Sequence, residues 1–194
     1  MKTDWQNVHS KVQEKRKKVT FNTMQIIAFG FLGVIFLGSI LLYLPISNQE
    51  PIAYLDALFV SVSAVCVTGL VTVFPAAQFT LFGKVVLLGL IQIGGLGVIA
   101  CTMAVFLAIR KKITMKSRVM IQQTYNLETL SGMVRFIIRI LKGTVLVEGI
   151  GAVLFAFHFV PEYGFIKGVA YGIFHSVSAF CNAGIDVLGT SSFM

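Results

Sequence analysis

Charged residues are scarce in this sequence. Asp, Glu, Lys and Arg make up 12% of its 194 residues, whereas 56% are hydrophobic. A soluble domain of this length cannot bury so much apolar surface, but a lipid bilayer accommodates it. The shortage of charge therefore argues against an ordinary soluble protein and predicts an all-α integral membrane protein in contact with lipid. Acidic side chains are the scarcer kind, eight against sixteen basic ones.

Cysteine is also rare, with Cys66, Cys101 and Cys181 the three in the chain and no CxxC pair or His/Cys cluster. This pattern argues against a disulfide framework and against a zinc site. We see no secretory signal peptide, because the first apolar segment is long and no small-residue cleavage site follows it closely. We expect no enzyme, no cofactor and no resident metal.

Apolar runs of two lengths alternate along the chain. The long runs are 24–44, 82–109 and 143–160. The first holds 21 residues without a charge, and as a helix it would be roughly 31 Å long, matching the bilayer core of about 30 Å. The short runs are 52–65 and about 166–180. A helix over 52–65 would reach only roughly 20 Å, too short to span a bilayer.

The basic residues are concentrated in two segments, because 14 of the 16 Lys and Arg lie within 1–18 and 110–142. The positive-inside rule assigns both segments to the cytoplasm. Both basic segments can lie in the cytoplasm only if the chain after the first span enters the membrane and returns to the outer side. The charge count therefore predicts a re-entrant loop and a cytoplasmic N-terminus, and it argues against nucleic-acid binding.

The two short runs repeat each other at an offset of 115 residues. ALFVSVSAVCVTGL at 57–70 and GIFHSVSAFCNAGI at 172–185 are identical at seven of fourteen positions, including Gly69 and Gly184. The fold class predicted is thus repeated transmembrane helix–re-entrant pore loop–transmembrane helix units, one complete and one incomplete. The divisions are 1–20 as a cytoplasmic basic N-terminus, 21–109 as the first unit, 110–138 as a cytoplasmic linker and 139–194 as the second unit, truncated after its pore loop.

A pair of such loops indicates a passage for a cation. A short helix entering from outside points its C-terminus, which carries partial negative charge, toward the membrane centre. The loop after it directs carbonyl oxygens inward, and carbonyl rings replace the hydration shell of potassium in known filters. Gly69 and Gly184 suit the unusual dihedral angles of such a loop.

The same residues resemble a known family. The pattern at 57–70 resembles the first pore loop of the Trk/Ktr/HKT potassium transporter superfamily, and IQIGGLG at 91–97 resembles the start of its following helix. FHSVSAFCNAG at 174–184 is similar to its second pore loop. From about residue 20 onward, the sequence as a whole is most similar to the bacterial KtrB-type translocating subunits.

The resemblance implies four units around one pore, each with one filter glycine, matched here by Gly69 and Gly184. It also implies that the backbone of Val67, Thr68, Asn182 and Ala183 lines the ion path. Potassium would be the substrate, taken up across the cell membrane, with sodium stimulation in some members. The resemblance further implies a homodimer and a cytoplasmic nucleotide-binding regulatory subunit. With two of four filter segments, the chain has the form of an N-terminal portion.

Several other residues are given roles. Glu148, inside a span and near Lys142, is a candidate for the ion path or for helix packing. His175 is expected to be a polar contact of its short helix, and the glycines at 94, 95 and 97 to serve close packing rather than a hinge. Cys66 and Cys181 are expected to be small buried residues.

Two other functions stay open at this stage. One is a secondary transporter of another solute, although such folds favour inverted repeats and both units here run in the same direction. The other is a truncated, non-transporting membrane protein that associates with a full-length subunit.

Overall fold

The computed structural model describes residues 23–97, 100–101 and 133–188. The regular elements there are helical, and the prediction of an all-α chain is confirmed for this part. We number the helices α1 (Thr23–Tyr43), α2 (Tyr54–Cys66), α3 (Pro75–Gln78), α4 (Leu81–Leu96), α5 (Met133–Tyr163) and α6 (Phe165–Phe180), with a 3-10 turn at Pro45–Ser47. The predictions for 1–20, for 110–132 and for the last residues of the chain lie outside the described ranges.

Helix α1 ends at Tyr43, one residue before the end of the first long apolar run. The Ser47 hydroxyl donates to the Leu41 carbonyl at 2.5 Å, and the Asn48 amide donates to Leu42 and Leu44 at 2.6 and 3.0 Å. These bonds satisfy carbonyls of the last turn that have no partner within the helix. The capped end turns the chain toward α2.

Helix α2 packs against α1 and α4. The buried Ser61 hydroxyl donates to the Ile35 carbonyl of α1 at 2.8 Å. Gly38 of α1 permits this approach, because a Cβ there would lie 2.7 Å from the Ser61 hydroxyl oxygen. A small residue at a helix contact lets two backbones come close together, as in other membrane helices.

Helix α4 is shorter than the apolar run that contains it. It ends at Leu96, and Gly97 follows with φ +84°. A positive φ ends the regular helix there, and glycine adopts this conformation at little steric cost. The backbone N–H of Cys101 donates to the Gly97 carbonyl at 3.2 Å, so helical bonding starts again after the break. Among the described residues, none lies within 4 Å of a Cβ built on Gly97, so the close packing expected there is not seen in this part of the chain.

Helix α5 is longer than predicted at both ends. It includes Arg135 and Arg139, which the charge count places in the basic segment 110–142, and it continues through Pro161 to Tyr163. Gly164, with φ +81°, stops it. Among the described residues, Arg135–Tyr163 is the one stretch that is helical, long and apolar enough to cross a membrane, and very little of it is buried. Most of its side chains therefore face away from the described part of the protein.

Helix α6 folds back on α5 and makes the most extensive helix contact of the described chain. Gly168 and Gly172 lie against the backbone of α5 near Val160 and Ala156. The Ser176 hydroxyl donates to the Glu148 carbonyl at 2.6 Å. Ser61 and Ser176 occupy matched positions of the sequence repeat, and both bind the backbone of the preceding long helix.

Candidate functional site

The first loop, residues 67–69, begins where α2 ends. Val67 has φ 56° and ψ 39°, in the left-handed region, and its N–H donates to the Ser63 carbonyl. The N–H of Thr68 donates to the same carbonyl at 3.0 Å. A left-handed conformation costs an ordinary L-residue about 1–2 kcal/mol. Such local strain concentrates at functional sites.

The second loop, residues 182–184, has the same backbone conformation. Asn182 has φ 58° and Gly184 has φ 66°, against 56° and 75° for the matched Val67 and Gly69. The Ala183 N–H donates to the Ser178 carbonyl at 2.8 Å, at the same offset of 115 from the bond made by Thr68. The sequence repeat is therefore also a repeat of backbone conformation at the two loops.

The two loops touch each other. A Cβ built on Gly69 would overlap the carbonyl oxygen of Ala183. The matched position differs, because a Cβ on Gly184 would meet no described residue within 4 Å. Two glycines that are equivalent in sequence therefore have different surroundings in the described chain, since one is enclosed by the other loop and one is not.

Helix α4 contacts the ends of both short helices through adjacent glycines. A Cβ on Gly94 would overlap the Val65 carbonyl oxygen near the end of α2, and one on Gly95 would overlap the Cys181 sulfur after α6. The expectation of close packing is confirmed for these two glycines. One helix thus fixes the distance between the loops.

The structure brings the six predicted filter residues into these two touching loops. Thr68, Asn182 and Gly184 are exposed, Val67 and Gly69 are half-buried, and Ala183 is buried. The Thr68 hydroxyl lies 2.9 Å from the Ser63 hydroxyl, so its side chain is engaged behind the loop. This leaves its backbone carbonyl as the group available to an ion, as the sequence argument assumes.

A polar cluster of His175 and Asp186 lies next to the second loop, and only part of it was predicted from the sequence. His175 is buried, and its Nδ1–H donates to the Tyr171 carbonyl at 2.9 Å, while Nε2 lies 3.0 Å from Asp186 Oδ1. The same Oδ1 accepts the Leu188 N–H at 2.7 Å. The expected polar contact of His175 is confirmed, but Asp186 was not singled out. The sequence repeat contained a signal for this pair: His175 and Asp186 are polar, whereas the residues at the matched positions of the first unit, Val60 and Val71, are both apolar.

Glu148 lies at the contact between α4 and α5. Its Oε1 accepts a hydrogen bond from the Gln92 amide at 2.9 Å, so its side chain joins the two helices. Its bonded neighbour is Gln92 rather than Lys142, because α5 turns this carboxylate toward α4. The expectation for Cys66 was wrong, since its side chain is exposed, while Cys181 is buried as predicted.

The polar groups of this region suit an ion through their backbone. In the described ranges no group of three or more His, Cys, Asp or Glu side chains is placed to hold a metal. Each of the two loops lies directly after the C-terminus of a helix. That arrangement favours a cation by the helix dipole and by carbonyl oxygens.

The chain belongs to the TrkH family of cation transport proteins, whose model matches residues 5–194. This confirms the family expected from the two loop motifs. Among curated relatives, the chain is 41% identical over 182 residues to the potassium/sodium uptake protein NtpJ of Enterococcus hirae, covering 93% of this chain and 40% of that protein.

Two further relatives carry the name Ktr system potassium uptake protein B. Identity is 39% over 171 residues to the Bacillus subtilis protein, covering 88% of this chain and 38% of that one. It is 34% over 177 residues to the Vibrio alginolyticus protein, covering 91% and 39%. The chain therefore spans about two fifths of the length of the curated relatives it matches.

Proposed function

We propose that this chain forms part of a potassium uptake pore in the cell membrane, with the two loops as segments of its ion filter. The observation that carries the proposal is the repeated positive φ at the first and third residues of both loops, Val67 and Gly69 in one and Asn182 and Gly184 in the other, in loops that contact each other. A shared, strained conformation at two matched sites is expected of two parts of one binding site. The names of the relatives support potassium as the ion.

The filter acts through backbone carbonyls in this proposal. Helices α2 and α6 end directly before the loops, so the partial negative charge of each C-terminus lies close to the ion. Carbonyl oxygens of Val67, Thr68, Asn182 and Ala183 replace water around potassium. Gly69 and Gly184 allow the positive φ that aims these carbonyls.

The proposed topology has a cytoplasmic N-terminus, two re-entrant loops entered from outside, and a cytoplasmic segment at 110–138. The basic residues support it, with 14 of 16 on the two predicted inner segments. Arg135 and Arg139 lie in the first turns of α5, where long basic side chains reach the polar surface of the membrane. The unit divisions given from the sequence follow this topology.

The pore requires further segments and partners in this proposal. Exposed apolar side chains cover much of α5, among them Leu146, Leu154 and Phe157. Lipid or further transmembrane units cover this surface. Two relatives are named as protein B of a Ktr system, which supports a partner subunit. A cytoplasmic nucleotide-binding regulatory subunit and a homodimer are further parts of the proposal. Sodium stimulation is a part of the same proposal.

The test uses the whole gene in a bacterium that cannot take up potassium at low concentration. Gly69→Ser and Gly184→Ser should raise the KM for potassium or admit sodium, by about tenfold for each 1.4 kcal/mol of lost discrimination. Gly89→Ser is the matched control, because Gly89 is an exposed helical glycine with nothing within 4 Å. Wild-type KM and selectivity in both loop variants would remove the filter assignment.

The same experiment separates the two other functions. If membranes holding the whole-gene product take up neither potassium nor sodium, yet the product co-purifies with an intact relative, it is a non-transporting associate. If uptake follows another solute and ignores potassium, the protein is a secondary transporter of that solute.

A further inference from the structure

The second loop has a side-chain connection that the first loop does not share at matched positions. His175 lies on α6 ahead of the loop, and Asp186 lies two residues beyond Gly184, with Nε2 and Oδ1 3.0 Å apart. The positions matched by the repeat are Val60, which is buried, and Val71, which is exposed. Two apolar side chains cannot form this bond, so the two loops are held in different ways.

Both side chains of this connection are held in place by further contacts. The His175 side chain is 7% exposed and that of Asp186 is 19% exposed. The ring is fixed from behind by its Nδ1–H bond to Tyr171 and lies among Phe155, Phe159 and Phe174. These contacts leave the imidazole little freedom to turn. The carboxylate is fixed in its turn by the Leu188 N–H.

A second hydrogen bond attaches the chain after this loop to α6. The Ser178 hydroxyl donates to the Ile185 carbonyl at 3.0 Å. The residue matched to Ser178 in the first loop, Ser63, contacts the Thr68 hydroxyl instead, inside its own loop. The chain that leaves the second loop is therefore attached to α6 at two successive residues. Within the described chain, the hydrogen bonds of the first loop run from Val67 and Thr68 to Ser63 and so attach only the loop itself.

We propose that the His175–Asp186 pair is a clamp that positions the second loop and thereby sets how well the pore discriminates potassium from sodium. This rests on the proposed function, since the clamp acts on the filter. By fixing the exit of the loop, it holds the Asn182 and Ala183 carbonyls at the spacing of the larger ion. The pair itself does not touch the ion, so both are positioning residues.

The first experiment replaces the clamp with the residues of the first loop. His175→Val with Asp186→Val leaves no buried charge without a partner, which would otherwise destabilise the fold. In the whole-gene transporter we expect wild-type abundance in the membrane. We also expect a KM for potassium about tenfold higher and a potassium-to-sodium uptake ratio about tenfold lower, the effect of losing a charged hydrogen bond. Wild-type KM and uptake ratio at normal abundance would overturn the clamp.

Rescue by a conservative variant distinguishes positioning from mere packing. His175→Gln keeps a donor that reaches Asp186, and we expect it to retain most of the potassium selectivity. His158→Leu is the control, because His158 is an exposed histidine on α5 and its loss should leave the KM and the uptake ratio unchanged. Equal loss of selectivity in His175→Gln and in the double valine variant would contradict a directional bond.

A second variant decides the matter if the double variant does not accumulate. Asp186→Asn keeps the shape of the side chain and an acceptor for Leu188, while it weakens the bond to the ring. A threefold or larger rise in the KM for potassium supports the clamp, and a wild-type KM overturns it. If Gly69→Ser and Gly184→Ser change selectivity but the clamp variants do not, the clamp is rejected and the proposed filter stands. If the glycine variants change nothing, the proposed filter fails first.

Discussion

Alanine substitution at the two loop glycines should have unequal effects, although the two residues are equivalent in sequence. Both have a positive φ, 75° at Gly69 and 66° at Gly184, so either alanine costs about 1–2 kcal/mol in conformational strain. At Gly184 the new methyl group meets none of the described residues. The expected loss there is limited to the strain, about tenfold in the KM for potassium.

At Gly69 a steric term adds to the same strain. The methyl group would overlap the Ala183 carbonyl oxygen, and a backbone atom cannot rotate aside as a flexible side chain can. The two loops must then move apart, which displaces one of the carbonyls proposed to bind the ion. We expect Gly69→Ala to lose about a hundredfold or more in apparent potassium affinity, two factors of ten at 1.4 kcal/mol each.

The assay is initial potassium uptake over a range of concentrations, with membrane abundance measured in parallel. Gly89→Ala is the control, because an exposed helical glycine gains about 1 kcal/mol of helix propensity on becoming alanine. A Gly184→Ala variant that is worse than Gly69→Ala would refute the reasoning, because the contact between the loops would then not be the deciding term.

Two further predictions concern the helices around the loops. Gly94→Ala should reduce the thermal stability of the purified protein, because its methyl group would overlap the Val65 carbonyl oxygen; overpacking of this kind costs typically 1–3 kcal/mol, and an unchanged melting temperature would contradict the contact. Glu148→Gln should keep uptake near wild type, since a side-chain oxygen still accepts from Gln92, whereas Glu148→Leu should lower stability by about 1–3 kcal/mol by leaving that amide without its acceptor. Equal uptake loss in both Glu148 variants would favour a charge in the ion path instead.

The helices and their order follow largely from hydropathy and length. The short runs predicted at 52–65 and 166–180 are helices at Tyr54–Cys66 and Phe165–Phe180, because apolar runs between turn residues tend to become helices in lipid. The glycine loops were found through the repeat, since their special conformation requires the same residue at both places.

Other features depend on information that hydropathy does not contain. The break at Gly97 is a choice of dihedral angle inside a continuous apolar run. The start of α5 was placed too late because Arg135 and Arg139 lower local hydropathy while their long side chains still suit a helix. The His175–Asp186 bond joins residues on opposite sides of a loop, and only the folded chain brings them together.

The adjacent glycines of α4 have a consequence for how this protein tolerates change in length. Gly94 lies against the end of α2 and Gly95 against Cys181 after α6, so neighbouring positions on one helix are in register with two different segments. Inserting one residue ahead of them would rotate both by about 100° and shift them by about 1.5 Å. Substitutions at exposed positions of α4 such as Gly89 leave this register intact, whereas an insertion or deletion ahead of Gly94 would break both contacts at once. The length of α4 ahead of Gly94 is therefore the property of this helix that the two contacts constrain.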